Sequence, residues 1–302
     1  MRSSTTKPKP PGPQAKPPTP APPTLSGAAS PAKAAWDNST QTLARNTLVA
    51  GGQQLGLSLS DAQIDALMAY LGLLHKWSKV YNLTAVRDPL EMVTLHLLDS
   101  LAVIPALLRH LATPHNATER TALAWPSTSP PPPPPPSPSP SPAPASASLA
   151  AASAGKPAQA QPIRLLDVGS GAGLPGVVIA IACPHIQVTC IDAVSKKAAF
   201  IQQVAASLGL VHLRGLHQRI EQLDAPHDLV CSRAFASLAD FVQGSANALA
   251  PGGVWLALKG KTPTEEMSAL GPEVDVFHVE QLQVPGLDAQ RCLVWMCPAA
   301  IP

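Results

Sequence analysis

The sequence predicts an α/β fold built on a mostly parallel, doubly wound sheet, with a helical region ahead of it. Three observations predict it. From Ile163 onward, short apolar runs alternate with helical patterns, as in parallel strands joined by crossover helices. The first of these runs leads into Gly169, Gly171, Gly173 and Gly176 and then a helix. The 36 prolines are bunched, ten in the first 31 residues and fifteen between Pro114 and Pro162, which sets those stretches apart from the folded part.

Residues 1–36 and 113–162 are poor in large apolar side chains and cannot offset the entropy of ordering, so both are expected to be disordered. The second runs unbroken from Pro130 to Pro136 and continues in Ser-Pro repeats. It reads as a polyproline spacer in a surface insertion, with a proline-reading partner as the sharper alternative. Residues 37–112 and 163–302 are expected to form an N-terminal helical cap and a sheet domain. Net charge is +2, with +5 in the first 36 residues and +1 in the insert, so the remainder carries −4. Such a body is no general nucleic-acid sponge; RNA contact would need a local basic patch or the tail. The longest clean apolar run spans about seven residues, Val177 to Cys183, so no membrane span is expected. The basic amino terminus lacks the apolar segment of a signal peptide, and its proline density argues against an amphipathic transit peptide. The five cysteines form no C-x-x-C pair, so reduced buried thiols in a cytoplasmic protein are expected.

In chain order, a weak helix is expected over about 39–55. Ser60 and Gln63 form a capping box, after which Ile64, Leu67, Met68, Leu71, Leu74 and Trp77 mark one face of a second helix. Asp88 caps a third at Pro89, and this helix or a successor runs on through Leu95, Leu98, Leu101, Ile104 and Leu108 and bends at Pro105. Strands are expected at Ile163–Val168, Gln187–Ile191, Val211–Leu216, His227–Cys231, Val254–Leu258, Val274–Gln283 and Leu293–Cys297. Helices are expected at Pro175–Ala182, Ser195–Leu208, Ser237–Leu249 and Thr264–Leu270. Only Val284 to Gln290 separates the last two strands, which predicts an antiparallel hairpin closing the sheet.

The glycine loop between the first strand and its helix allows a tight turn and close approach of backbone to a ligand. Two ligand readings compete. Gly171-x-Gly173-x-x-Gly176 matches the dinucleotide pattern, but it leaves Asp167 and Gly169 in the strand, where that pattern wants apolar residues. Counting from Gly169 gives Asp-x-Gly-x-Gly-x-Gly, which suits a nucleoside without a pyrophosphate, S-adenosylmethionine. Pro175 agrees, since it removes an N–H from the helix start that a pyrophosphate would use. A purely structural turn is the third option. Asp192 closes the next strand. There a carboxylate accepts from a ribose diol in either nucleotide reading, or else caps the following helix.

One chain carries His75 to Thr84, Arg87-Asp88-Pro89, His96-Leu97-Leu98-Asp99-Ser100, Gly169 to Gly176, Ser232 to Leu238 and Leu258-Lys259-Gly260. In that combination, over about 40–112 and 163–297, it resembles the RsmG/GidB family of 16S rRNA (guanine-N7)-methyltransferases. The resemblance implies a class I S-adenosylmethionine-dependent methyltransferase fold, Rossmann-like, with a seven-stranded sheet and an N-terminal helical cap. It implies methyl transfer to N7 of one guanine, guanine 527 in the 530 loop of bacterial 16S rRNA. The expected setting is the cytoplasm, on the small ribosomal subunit or an assembly intermediate, by a monomer. The implied cofactor contacts are Gly169, Leu174, Ile220, Glu221 and Arg233, to which the loop and strand pattern add Gly171, Gly173 and Asp192. The chain departs from the family in its proline-rich tail and insert. It also departs in the weakly basic run Lys196-Lys197-Ala198-Ala199, and in Cys292, where a histidine is usual after Arg291.

Guanine N7 has a free lone pair and no proton to lose, so no general base is expected; in-line positioning and exclusion of water supply the rate. Arg233 is expected to orient the donor or guanine O6, with a structural salt bridge as the alternative. His75, Lys76, Lys79, Arg87, Lys259 and Lys261 are candidate phosphate contacts, or else solvated charge. Trp77 fits core packing better than base stacking. His96 and Asp99 lie one helical turn apart without a third ligand, so no metal site is expected. Two other functions compete: a nucleotide-dependent oxidoreductase and a non-catalytic ribosome-assembly factor.

Overall fold

The computed structural model describes residues 36–112, 162–233, 235 and 237–300. The disorder and spacer expected for 1–36 and 113–162 lie outside the described residues except at the edges, where Trp36, expected to be disordered, instead stacks its ring on His75 and packs against the core. Asp37 accepts from the Thr40 N–H and opens α1 (Asn38–Gln54). The Ser60–Gln63 capping box opens α2 (Asp61–Tyr81), and Asp88 caps α3 (Pro89–Met92). Here the structure shows a successor helix and moves the expected bend away from Pro105. The chain passes through a π-helical segment, Val93–Leu98, then a short α4 (Asp99–Leu101) and a turn before α5 (Ile104–Ala112). The break falls at Ala102 and Val103. Pro105 sits in the first turn of α5, where its missing N–H has no helical partner to lose. Taken whole, Pro89–Ala112 is long and apolar enough to cross a membrane by length and composition, which counting unbroken apolar runs does not reveal. Yet 72% of its most apolar window is buried inside the fold, as in a core helix.

The sheet has seven strands: β1 (Ile163–Val168), β2 (Ile186–Asp192), β3 (Leu213–His217), β4 (His227–Ser232), β5 (Leu249–Lys259), β6 (Val274–Leu282) and β7 (Arg291–Pro298). Their spatial order is β3-β2-β1-β4-β5-β7-β6. The first five pair in parallel, and β7 runs antiparallel to both β5 and β6. Helices α6 (Gly176–Ala182), α7 (Ser195–Leu208), α8 (Leu238–Ser245) and α9 (Thr264–Ser268) fill the connections. This is the doubly wound sheet with a closing hairpin that the alternation predicts. The largest boundary difference is β5, which begins at Leu249 because Leu249 pairs with His227 across a register shift.

One apolar cluster joins the cap to the sheet. It holds Leu48, Leu67, Leu71 and Leu107 from α1, α2 and α5 together with Leu165, Val178 and Trp295. A second, with Val168, Phe241, Trp255 and Met296, fills the opposite face under α8. Polar ties fix the cap as well. Gln63 Nε2 donates to the carbonyls of Ile181 and Ala182, at the end of α6, where helical partners run out. The buried Tyr70 hydroxyl donates to the Ala172 carbonyl in the glycine loop at 2.8 Å. All five cysteines are free, and four are buried.

Candidate functional site

Strand order reverses between β1 and β4, and open α/β sheets bind ligands at the carboxyl ends of strands at such a point. The glycine loop leaves β1 there, and Arg233 follows β4 there. Gly169, Gly171 and Gly173 have φ of 66°, 60° and 88°. Gly173 admits no side chain, since a Cβ would lie 2.3 Å from Val177 Cγ2. At Gly171 the nearest atom to such a Cβ is Gly169 O at 4.0 Å, so its backbone is open to a ligand.

Asp167, fully buried in β1, accepts from the Gly176 N–H at 2.8 Å, the first residue of α6. Burial pushes its carboxyl up to about 7, opposed by the Gly176 bond and by Arg233. The helix start that a pyrophosphate would need is therefore already met by a carboxyl and narrowed by Pro175. A phosphate-free nucleoside meets no such conflict. Asp192, also buried, ends β2. Its Oδ2 accepts from the Gly171 N–H at 2.9 Å and its Oδ1 from the Val194 N–H at 2.8 Å. Lys197 Nζ lies 3.5 Å from the same Oδ2. The Val194 bond is a local turn leading into α7 rather than a cap on that helix's own first N–H groups. A carboxylate offers about four lone-pair sites, so acceptor capacity remains for a sugar diol.

The other expected contacts stand farther along the same rim. Leu174 is buried in the loop. Ile220, buried, and Glu221, exposed, lie in a 3-10 turn after β3. Arg233 Nη1 donates to Asp99 Oδ2 at 3.0 Å, and Arg291 Nε donates to Asp99 Oδ1 at 2.7 Å. These three residues, with Leu95, His96 and Lys259 among the others, line a cavity of about 400 Å³. Arg233 thus makes a salt bridge and also faces a cavity. His96 Nε2 lies 2.8 Å from Thr84 Oγ1, and burial pushes its imidazole down to about 4, so it is neutral near pH 7. The sequence reading missed Asp99 and Arg291 as partners. The available signal was a carboxylate inside the apolar run Leu95–Leu101, which needs a cation when buried.

The basic candidates divide. Lys76, Lys79 and Lys261 are exposed. Lys259 instead pairs with Glu266 at 2.8 Å, Arg87 donates to Ser78 O and Asn82 Oδ1 at the end of α2, and His75 is buried beside the Trp36 ring. Trp77 packs against Phe200 and Tyr81. Among the described residues no group of three or more His, Cys, Asp or Glu is placed to hold a metal ion.

A family model described as rRNA small subunit methyltransferase G (GidB) matches residues 63–112 and 147–294. The ribosomal RNA small subunit methyltransferase G of Polaromonas sp. (strain JS666 / ATCC BAA-500) is 52% identical over 254 residues, covering 84% of this chain and 93% of that one. That of Acidovorax sp. (strain JS42) is 50% identical over 262 residues, covering 86% and 98%. Among solved structures, TrmN from Thermus thermophilus is 21% identical with a TM-score of 0.39, over 46% of this chain and 44% of that one. That likeness is too partial to carry an argument.

Proposed function

Because the chain belongs to the rRNA small subunit methyltransferase G family, we propose that it methylates N7 of a single guanine, guanine 527 in the 530 loop of bacterial 16S rRNA. The methyl donor is S-adenosylmethionine. The reaction takes place in the cytoplasm, on the small ribosomal subunit or an assembly intermediate, and the enzyme works as a monomer. The observation that carries the donor assignment is an open glycine loop bonded to Asp192 in front of a helix start that Asp167 already holds. That arrangement favours a nucleoside over the dinucleotide of an oxidoreductase. A donor pocket of this kind also has no use in a non-catalytic assembly factor.

In this reading Gly169, Gly171 and Gly173 let the nucleoside lie against backbone, and Asp192 accepts from its ribose. Leu174 gives an apolar wall, and Ile220 and Glu221 flank the base. When bound, the donor supplies a methyl carbon already activated by sulfonium sulfur. Guanine N7 would offer its free lone pair to that carbon, and it has no proton to lose. No proton moves, so the chain needs no general base; its task is alignment and exclusion of water. Arg233, at the end of β4, donates to guanine O6 and so fixes the edge that carries N7. The base must come from a loop, because a paired A-form helix buries that edge in its narrow groove.

Mapping 7-methylguanosine in small-subunit rRNA from cells with and without the gene tests the assignment. One mark is expected to vanish on deletion and return with the wild-type chain; an unchanged map overturns it. Calorimetry is expected to show binding of S-adenosylmethionine and none of NADH.

A further inference from the structure

The cavity between the cap and the sheet rim has a charge arrangement that donor binding does not use. Asp99 comes from the cap, as the first residue after the π-helical segment. Its two carboxylate oxygens each accept from a different arginine, Arg233 after β4 at 3.0 Å and Arg291 at the start of β7 at 2.7 Å. The Asp99 side chain is 4% exposed, while those of Arg233 and Arg291 are 30% and 28% exposed. The anion is sealed behind two guanidiniums that still reach the opening. Lys259 also lines it but is already paired with Glu266 at 2.8 Å, and neutral His96 adds no charge, so the balance is two guanidiniums against one carboxylate. The wall therefore carries more positive than negative charge and suits an anionic ligand.

We propose that Asp99 is a positioning residue that sets Arg291 beside Arg233, so that Arg291 takes a phosphodiester of the RNA while Arg233 takes the guanine edge. This rests on the RNA-methylating reading above. A guanidinium is a rigid plane of five donors, so a bond from one N–H fixes where the others point. Arg291 is held twice, by Asp99 and by the Gln290 carbonyl at 2.9 Å. The carboxylate also keeps two like charges together that would otherwise move apart. It thereby sets the spacing between the contact to the base and the contact to the backbone of the strand.

Charge and position predict opposite signs. Removing a buried negative charge makes the cavity more positive, and charge alone would tighten RNA binding. Loss of position weakens it. The test uses full-length Asp99→Asn on small subunits from cells lacking the gene, with S-adenosylmethionine binding as the check that the variant is folded. The KM for RNA is expected to rise about tenfold and kcat to fall by a similar factor, within the range that misplacement by an ångström produces. Adding Arg291→Lys to Asp99→Asn is expected to cost little more than the worse single change, because both break one linkage. A lower KM, unchanged kinetics, fully additive losses, or a fall in kcat with KM unmoved (the mark of a merely structural role) each overturn the proposal. Should Asp99→Asn not fold, Arg291→Lys alone decides, since it keeps the charge and loses the fork; an unchanged KM for RNA overturns the proposal. A wild-type chain that methylates no RNA defeats the functional reading instead, whereas an active wild type beside an unimpaired Asp99→Asn defeats only this inference.

Discussion

Asp192 and Asp167 sit at opposite sides of one loop and face opposite demands. Asp192 stays near the rim, bonded to the Gly171 and Val194 N–H groups. If it holds the donor's ribose as proposed, its charge-assisted bonds there are worth roughly 1.5–3 kcal/mol, so Asp192→Ala is expected to weaken S-adenosylmethionine binding by about 10- to 100-fold in calorimetry. Asp167 is sealed in the core, and burial raises its carboxyl from 3.8 to about 7. The unfolded chain ionises this group near 3.8 while the folded chain resists until about 7, so its contribution to stability declines as pH rises between those values and is flat above. Asp167→Asn keeps an acceptor for the Gly176 N–H and has no proton to lose. Its stability relative to wild type is expected to rise from pH 4 to pH 8 by on the order of a few kcal/mol in urea unfolding. An equal difference at both pH values would clear Asp167 of the effect. The loop and its two acids were legible in the sequence because they are contiguous or lie at strand ends. Asp99 was not, because its partners stand 134 and 192 residues away and only the fold brings them to it.

Between elements, one of the polar bonds that join the cap to the sheet reaches the glycine loop. The Tyr70 hydroxyl on α2 donates to Ala172 O with both groups buried. Tyr70→Phe keeps the ring packed near Phe200 but leaves that carbonyl without its donor, a loss of about 1–3 kcal/mol. Thermal unfolding is expected to shift down, and donor affinity to fall with it, because the freed carbonyl belongs to the loop proposed to bind the nucleoside. A variant with lowered stability and unaltered donor affinity would show that the bond holds the cap and not the loop. The alternating elements and the closing hairpin were legible because apolar period and connection length suffice to define them. The π segment was not, since hydrophobic spacing cannot resolve one extra residue in a helical turn. The start of β5 was hidden for another reason: Pro251-Gly252-Gly253 reads as a turn, and only pairing of Leu249 with His227 draws it into the sheet.

At the scale of the molecule, charge is split between regions that do different work. The first 36 residues carry Arg2, Lys7, Lys9, Lys16 and Lys33 without an acid, while the residues outside the tail and insert carry −4. In the proposed function, recognition of one guanine belongs to the cavity that Arg233 and Arg291 line. Attraction to RNA at large needs no fixed geometry and is expected of the tail. Each phosphate neutralised on a single strand adds about 0.7 to the slope of log affinity against log salt, so five engaged cations account for a slope of roughly 3.5. Removing residues 2–36 is expected to flatten the slope by up to that amount and to weaken binding mainly at low salt. At about 1 M salt, screening acts over ~3 Å, and the two forms are expected to converge. Single-turnover methylation at saturating RNA is expected to stay the same, because the cavity and the donor loop are untouched. An unchanged salt slope would refute the tail's part in RNA capture, and a lost single-turnover rate would move the tail into the site itself.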